Sequence, residues 1–68
     1  MRSTRYELRI KGRLSPDVRE DFGDFELIEA PVETVMLGDV VDEAHLHGVL
    51  ARLQAFGLQV MSMRSLPE

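Results

Sequence analysis

From Thr4 to Lys11 the chain alternates. Tyr6, Leu8 and Ile10 fall on one parity, and Arg5, Glu7, Arg9 and Lys11 on the other. Successive side chains of an extended strand point to opposite faces, so this period of two predicts a strand with one buried face. Gly12 to Leu14 then leads into SPDVREDFG. Ser15 has the oxygen to cap a helix, Pro16 suits the first helical position, and Asp17 meets the positive end of the helix dipole. Val18 and Phe22, four apart, are the expected core anchors of a helix of about two turns, and Gly23 is expected to close it.

Phe25, Leu27 and Ile28 predict a second strand, interrupted near Ala30 and Pro31. Proline has no N–H for a central ladder, so this strand should lie at an edge or carry a bulge. Thr34 to Val41 (TVMLGDVV) reads as a third strand. Asp42 is placed to cap a longer helix running to about Phe56, with Leu46, Val49, Leu50 and Leu53 as its apolar stripe. Gly57 stands where a left-handed residue ends a helix, and Leu58 can touch Leu53, the apolar contact of a Schellman ending. Leu58 to Leu66 predicts a last strand, with Val60 facing the core.

The predicted order is βαββαβ in a single domain over residues 1–68. Two helices on one face of a four-stranded antiparallel sheet give an α+β, ferredoxin-like fold. With strand order 4-1-3-2 one sheet face is left open. That face is expected to carry Arg5, Glu7, Arg9 and Lys11 at its centre, Met36 from the third strand, and Met61 and Met63 from the fourth. Methionine is adaptable and recurs on surfaces that take partners. Arg9, Met36, Met61 and Met63 are therefore candidate binding residues.

Length and composition narrow the function. A 68-residue chain has little core, and domains of this size usually gain a disulfide, a metal or a partner subunit. There is no cysteine, so disulfides, zinc–thiolate sites and thiol nucleophiles are excluded together. No apolar run reaches membrane length and MRSTRYELRIKGR contains no signal-peptide core, so a cytoplasmic protein is expected. The net charge of −4 argues against a nucleic-acid binder, as does a first strand whose outward positions lack aromatic side chains for stacking bases. No cofactor is implied.

The charge is also segregated. Arg2, Arg5, Arg9, Lys11 and Arg13 crowd the first thirteen residues, against Glu7 alone, whereas Ser15 to His47 contains ten acids and one base, Arg19. A twofold axis that sets the basic part of one subunit against the acidic part of another uses this asymmetry. A homodimer or larger homo-oligomer, joined through the open sheet face, is the expected state.

The two histidines of the chain, His45 and His47, occur together in AHLHGVL. Residues two apart share a face on a strand, but on a helix they are separated by about 200°. The caps and the apolar spacing put this stretch on a helix, so the pair cannot chelate one metal ion. Each flanks the apolar stripe, His45 beside Val49 and Phe56, His47 nearer Leu50 and Gln54. Such a residue is ordinarily half-covered, with one nitrogen in water. Of the two, His47 is the better functional candidate because Glu43, one turn earlier, is placed to orient its ring. Gly48 is the other oddity, since a mid-helix glycine is less stable than alanine by about 1 kcal/mol; a close neighbour would explain it.

Three segments together carry a resemblance: YELRIKGRLS, PVETVMLGDVVDEAHLHGVLARLQAFGLQV and MRSLP. They resemble a family of small, uncharacterised, mostly actinobacterial proteins of about this length. The resemblance spans nearly the whole chain and includes Asp42, Leu46, His47, Gly48, Arg52 and Gly57. It implies a shared helix surface at His47, Gly48 and Arg52, and no reaction. At the level of fold the chain also resembles ACT regulatory domains and small dimeric ferredoxin-like enzymes. Three functions are then open. The first is a non-enzymatic oligomeric binding or accessory module for a partner protein or small molecule. The second is a small dimeric enzyme of isomerase or oxygenase type, using His47 with Arg52 or Glu43. The third is an ACT-like small-molecule sensor using Gly12, Arg13 and the first strand–helix turn.

Overall fold

The computed structural model describes residues 3–67. The elements are β1 (Thr4–Lys11), α1 (Pro16–Asp21), β2 (Glu26–Glu29), β3 (Glu33–Val40), α2 (Glu43–Ala55) and β4 (Val60–Ser65). All strand pairs are antiparallel, in one sheet of order β2-β3-β1-β4. This is the expected α+β, ferredoxin-like arrangement, with the proline-flanked β2 at an edge.

The helix ends follow local chemistry. Ser15 accepts from the Val18 N–H at 3.5 Å, with Pro16 opening α1. Asp42 accepts from the His45 N–H at 2.8 Å and starts α2. At the far end Gly57 has φ +75°, the Leu58 N–H reaches the Leu53 carbonyl at 3.0 Å and the Gly57 N–H reaches Gln54 at 2.9 Å. These two bonds make the predicted Schellman ending, and they delay β4 until Val60. Gly23 does not close α1 in the left-handed conformation; among the described residues positive φ occurs at Gly12 and Gly57 alone. The Phe22 N–H caps α1 instead, on the Val18 carbonyl.

The core lies between the helices and one sheet face. Leu8 and Ile10 of β1, Met36 of β3, Val49 and Leu53 of α2, and Phe22 beyond α1 are wholly buried. Phe22 sits edge-on to Phe25 and Phe56, with ring centroids 6.4 and 6.2 Å away. Two small positions complete the inner face of β3. Thr34 is buried and donates its hydroxyl to the Gly12 carbonyl at 2.9 Å. Gly38 leaves room for the Phe25 ring, since a Cβ there would stand 2.6 Å from Phe25 Cδ2. An aromatic ring laid over a strand glycine restores the burial the glycine lacks. Gly38→Ala is therefore expected to destabilise by about 1–3 kcal/mol, the usual range for overpacking, read from the urea midpoint; Phe25→Leu in the same chain should recover part of it.

The register corrects the expected placement of the methionines. Leu8 pairs with Met36 on one side and Met63 on the other, and directly opposed residues share a face. Met36 is accordingly buried under the helices and is no part of an exposed binding surface. In β4 the register shifts, with Arg9 opposite Ser62 but Ile10 opposite Val60. Met61 is the unmatched residue of a bulge, and the strand after it is out of phase with a simple alternation from Val60. Met63 therefore lies on the helix side, not on the open face, yet it is 42% exposed because it sits on an edge strand.

Candidate functional site

The open sheet face is a ladder of charges. Glu7 accepts from Arg64 Nε at 3.0 Å and from Arg9 Nε at 3.4 Å, and Arg9 Nη1 reaches Glu33 at 2.6 Å. Arg5 lies 4.0 Å from Asp39. Arg5 and Arg9 of the first strand thus find acids on β3 of the same subunit. Arg9, a candidate binding residue, is a rung of this ladder. Val35 and Leu37 occupy the same face, half-buried.

The hydrogen bond from Arg64, reinforced by the charges of Arg64 and Arg9, holds the Glu7 carboxyl below the usual glutamate range; desolvation opposes this and is outweighed. A carboxylate with a lowered pKa in the folded state contributes stability at neutral pH, and that contribution disappears as pH falls below the ordinary glutamate value of about 4.3. Glu7→Gln should be less stable than the parent at pH 7, and the gap should close on acidification, as measured by urea unfolding along a pH series.

The two histidines do different things. The half-buried His45 accepts the Val41 N–H on Nδ1 at 3.0 Å, tying the end of β3 to the first turn of α2 and placing the ring hydrogen on Nε2. His47 is exposed, and among the described residues no hydrogen bond or ion pair joins it to Glu43. Arg52 is turned to another task. It contacts the Asp21 carbonyl and carboxylate, both at 3.3 Å, and its guanidinium lies 4.6 Å above the centre of the Phe22 ring. It clamps α2 to the end of α1 and does not converge with His47.

Gly48 is exposed, and a Cβ there would meet nothing within 4 Å. Among the described residues no neighbour requires a glycine. Gly48→Ala should therefore stabilise the isolated chain by about 1 kcal/mol through helix propensity, raising Tm by about 4–8 °C for a domain this small in a calorimetric scan. The Gly12 turn is equally self-contained. Its N–H donates to the Val32 carbonyl at 2.9 Å and its carbonyl accepts from Thr34, so its backbone groups are not turned to a ligand.

Two concavities stand out among the described residues. A shallow polar cleft of about 160 Å³ lies where β1, the end of β3 and the start of α2 meet, lined by Thr4, Tyr6, Val40, Val41, Asp42, Glu43 and Leu46. A groove of about 240 Å³ with a mixed polar and apolar lining runs between α2 and β4, lined by Leu50, Gln54, Leu58 and Val60. Met63 shares its side of the sheet. The sequence signal for the groove is Leu50 and Leu58, apolar residues flanking the buried stripe of α2 without being fully covered. Both hollows are smaller than the roughly 300–1,000 Å³ of ordinary small-molecule sites. Among the described residues no group of three or more His, Asp or Glu is placed to hold a metal ion, and no helix is long and apolar enough to cross a membrane.

One family's sequence model, described as a domain of unknown function (DUF8691), matches residues 5–64. No curated protein and no solved structure matches the chain.

Proposed function

The chain belongs to the DUF8691 family, and from that premise we propose that it is a small non-enzymatic association module, working as a homo-oligomer through its α2–β4 side. One observation carries the reading. The groove of Leu50, Gln54, Leu58 and Val60 borders the edge strand β4, whose Met61 and Met63 are 55% and 42% exposed. Adjacent apolar surface of this kind, on a domain with little core, favours burial against another protein surface. The charged groups that a reaction would recruit are engaged in holding the fold: Arg52 on α1, Arg9 and Glu7 in the sheet ladder. His47 and Gly48 lie on the exposed side of α2 and belong to the association surface only if the partner also covers that helix.

The test is sedimentation of the intact chain at micromolar concentration, beside the double variant Met61→Glu, Met63→Glu. The expected result is a parent heavier than 7.7 kDa and a monomeric variant with unchanged circular dichroism. A parent that sediments as a 7.7 kDa monomer at all concentrations refutes the reading.

A further inference from the structure

The two edges of the sheet are built differently. β2 has four residues, Glu26, Leu27, Ile28 and Glu29, and leads into Ala30 and Pro31. Short length, acidic side chains and proline are the usual protections of an edge against pairing with another chain. In addition, Glu29 is held by Arg19 of α1. β4 has six residues, VMSMRS, with one charge, Arg64. That charge faces the sheet ladder, on Glu7. Apart from the bulge at Met61, the strand is longer than β2 and carries no acidic side chain, although Pro67 follows two residues past its end as Pro31 does for β2.

Its free backbone groups can be identified. The Leu66 N–H bonds the Arg5 carbonyl at 2.7 Å, in register with Tyr6 opposite Ser65. Hydrogen-bonded pairs alternate along an antiparallel ladder, so Leu66, Arg64 and Ser62 turn their N–H and C=O towards β1. Met63 and Ser65 turn theirs outwards.

We infer that this edge pairs with itself: two copies join β4 to β4 antiparallel about a twofold axis through Met63, making one eight-stranded sheet. The inference rests on the association reading above and names its partner and contact. Residues facing each other across the axis must share a sheet face, so the axis passes through a residue, and the three centres that keep most of the strand paired are Ser62, Met63 and Arg64. An axis at Ser62 puts the bulge residue Met61 one step from the axis, opposite the partner's Met63, whereas an axis at Met63 moves it two steps away, opposite the partner's Ser65. An axis at Arg64 sets two guanidinium groups against each other, and like charges directly opposed are unfavourable. An axis at Met63 pairs the outward N–H and C=O of Met63 with those of the partner's Met63. It places the two methionines side by side on the helix side, next to the α2–β4 groove of each subunit, and it sets Arg64 opposite the partner's Ser62. A second copy is favoured over a foreign peptide because the strand complements itself at that centre and twofold pairing is the commonest form of assembly.

The absence of cysteine makes the test clean. In a hydrogen-bonded antiparallel pair the Cα atoms lie about 5.5 Å apart, within the 4.4–6.8 Å range of a disulfide. Two residues off the axis, the Ser65 positions of the two copies would be separated by more than about 13 Å. Met63→Cys should therefore oxidise to a covalent dimer with copper phenanthroline at least about tenfold faster than Ser65→Cys, whereas Met61→Cys mixed with Ser65→Cys should cross-link. Faster linking at Ser65 than at Met63 overturns the axis. A sedimenting dimer that links at neither position overturns β4 pairing and leaves the association reading standing. Species growing beyond a dimer point to head-to-tail pairing and also overturn it. A parent that is monomeric throughout removes the inference together with the reading it rests on.

Discussion

Phe22→Ala is expected to remove about a third or more of the stability of the chain in water. Removing a buried phenylalanine destabilises by about 3–5 kcal/mol. A domain of this length has only about 3–10 kcal/mol in total, at roughly 0.05–0.15 kcal/mol per residue. Phe22 has no solvent exposure and touches both Phe25 and Phe56 edge to face. It also supports the Arg52 guanidinium that clamps α1 to α2. Its loss opens a cavity where both helices meet the sheet. Far-ultraviolet circular dichroism with urea titration should show a shortened or lost folded baseline. Phe22→Leu, which keeps most of the volume, should retain a cooperative transition at a lower midpoint.

Met36→Ala is expected to destabilise by about 2–5 kcal/mol, the range for truncating a buried methionine. Met61→Ala and Met63→Ala should each remain within about 1 kcal/mol in the monomeric state, because much of each side chain is already in water. Urea midpoints of the three variants, compared at equal slope, measure the contrast. It separates one core methionine from two surface ones, as the pairing of Met36 with Leu8 requires. An unchanged midpoint for Met36→Ala would refute the register of β3 against β1.

The contrast also shows which parts of the fold were legible in the sequence. β1 alternates without ambiguity. α2 carries unmistakable signals at both ends, Asp42 and Gly57, because capping depends on residues within one turn of each other. Pro31 announces the edge position of β2. β3 is different: Val35 and Leu37 are as apolar as Met36 and Val40, so its parity does not identify the inner face. What identifies it is the use made of Thr34 and Gly38, one bonded to the Gly12 carbonyl and the other roofed by Phe25. Both partners are distant in sequence.

The candidate site was legible in the same uneven way. Helical geometry alone separates His45 from His47. The engagement of Arg52 with Asp21 and Phe22 depends on how α1 docks against α2, and no local pattern carries that. The charge ladder needs the strand register: only when β1 lies between β3 and β4 do Arg9 and Arg64 converge on Glu7. Arg5 and Arg9 reach Asp39 and Glu33 of β3, acids distant along the chain, within one subunit.

The bulge in β4 makes Met61 a spare residue. Val60 and Ser62 already oppose consecutive residues of β1, Ile10 and Arg9. A chain shortened by deletion of Met61 would run through an unbroken ladder with Val60, Ser62, Met63 and Arg64 each still on its present side. Deleting Ser62 instead would force the strand either to iron out the bulge or to turn over everything beyond it. Chain length, ordinarily fixed inside a strand, is negotiable at this one position.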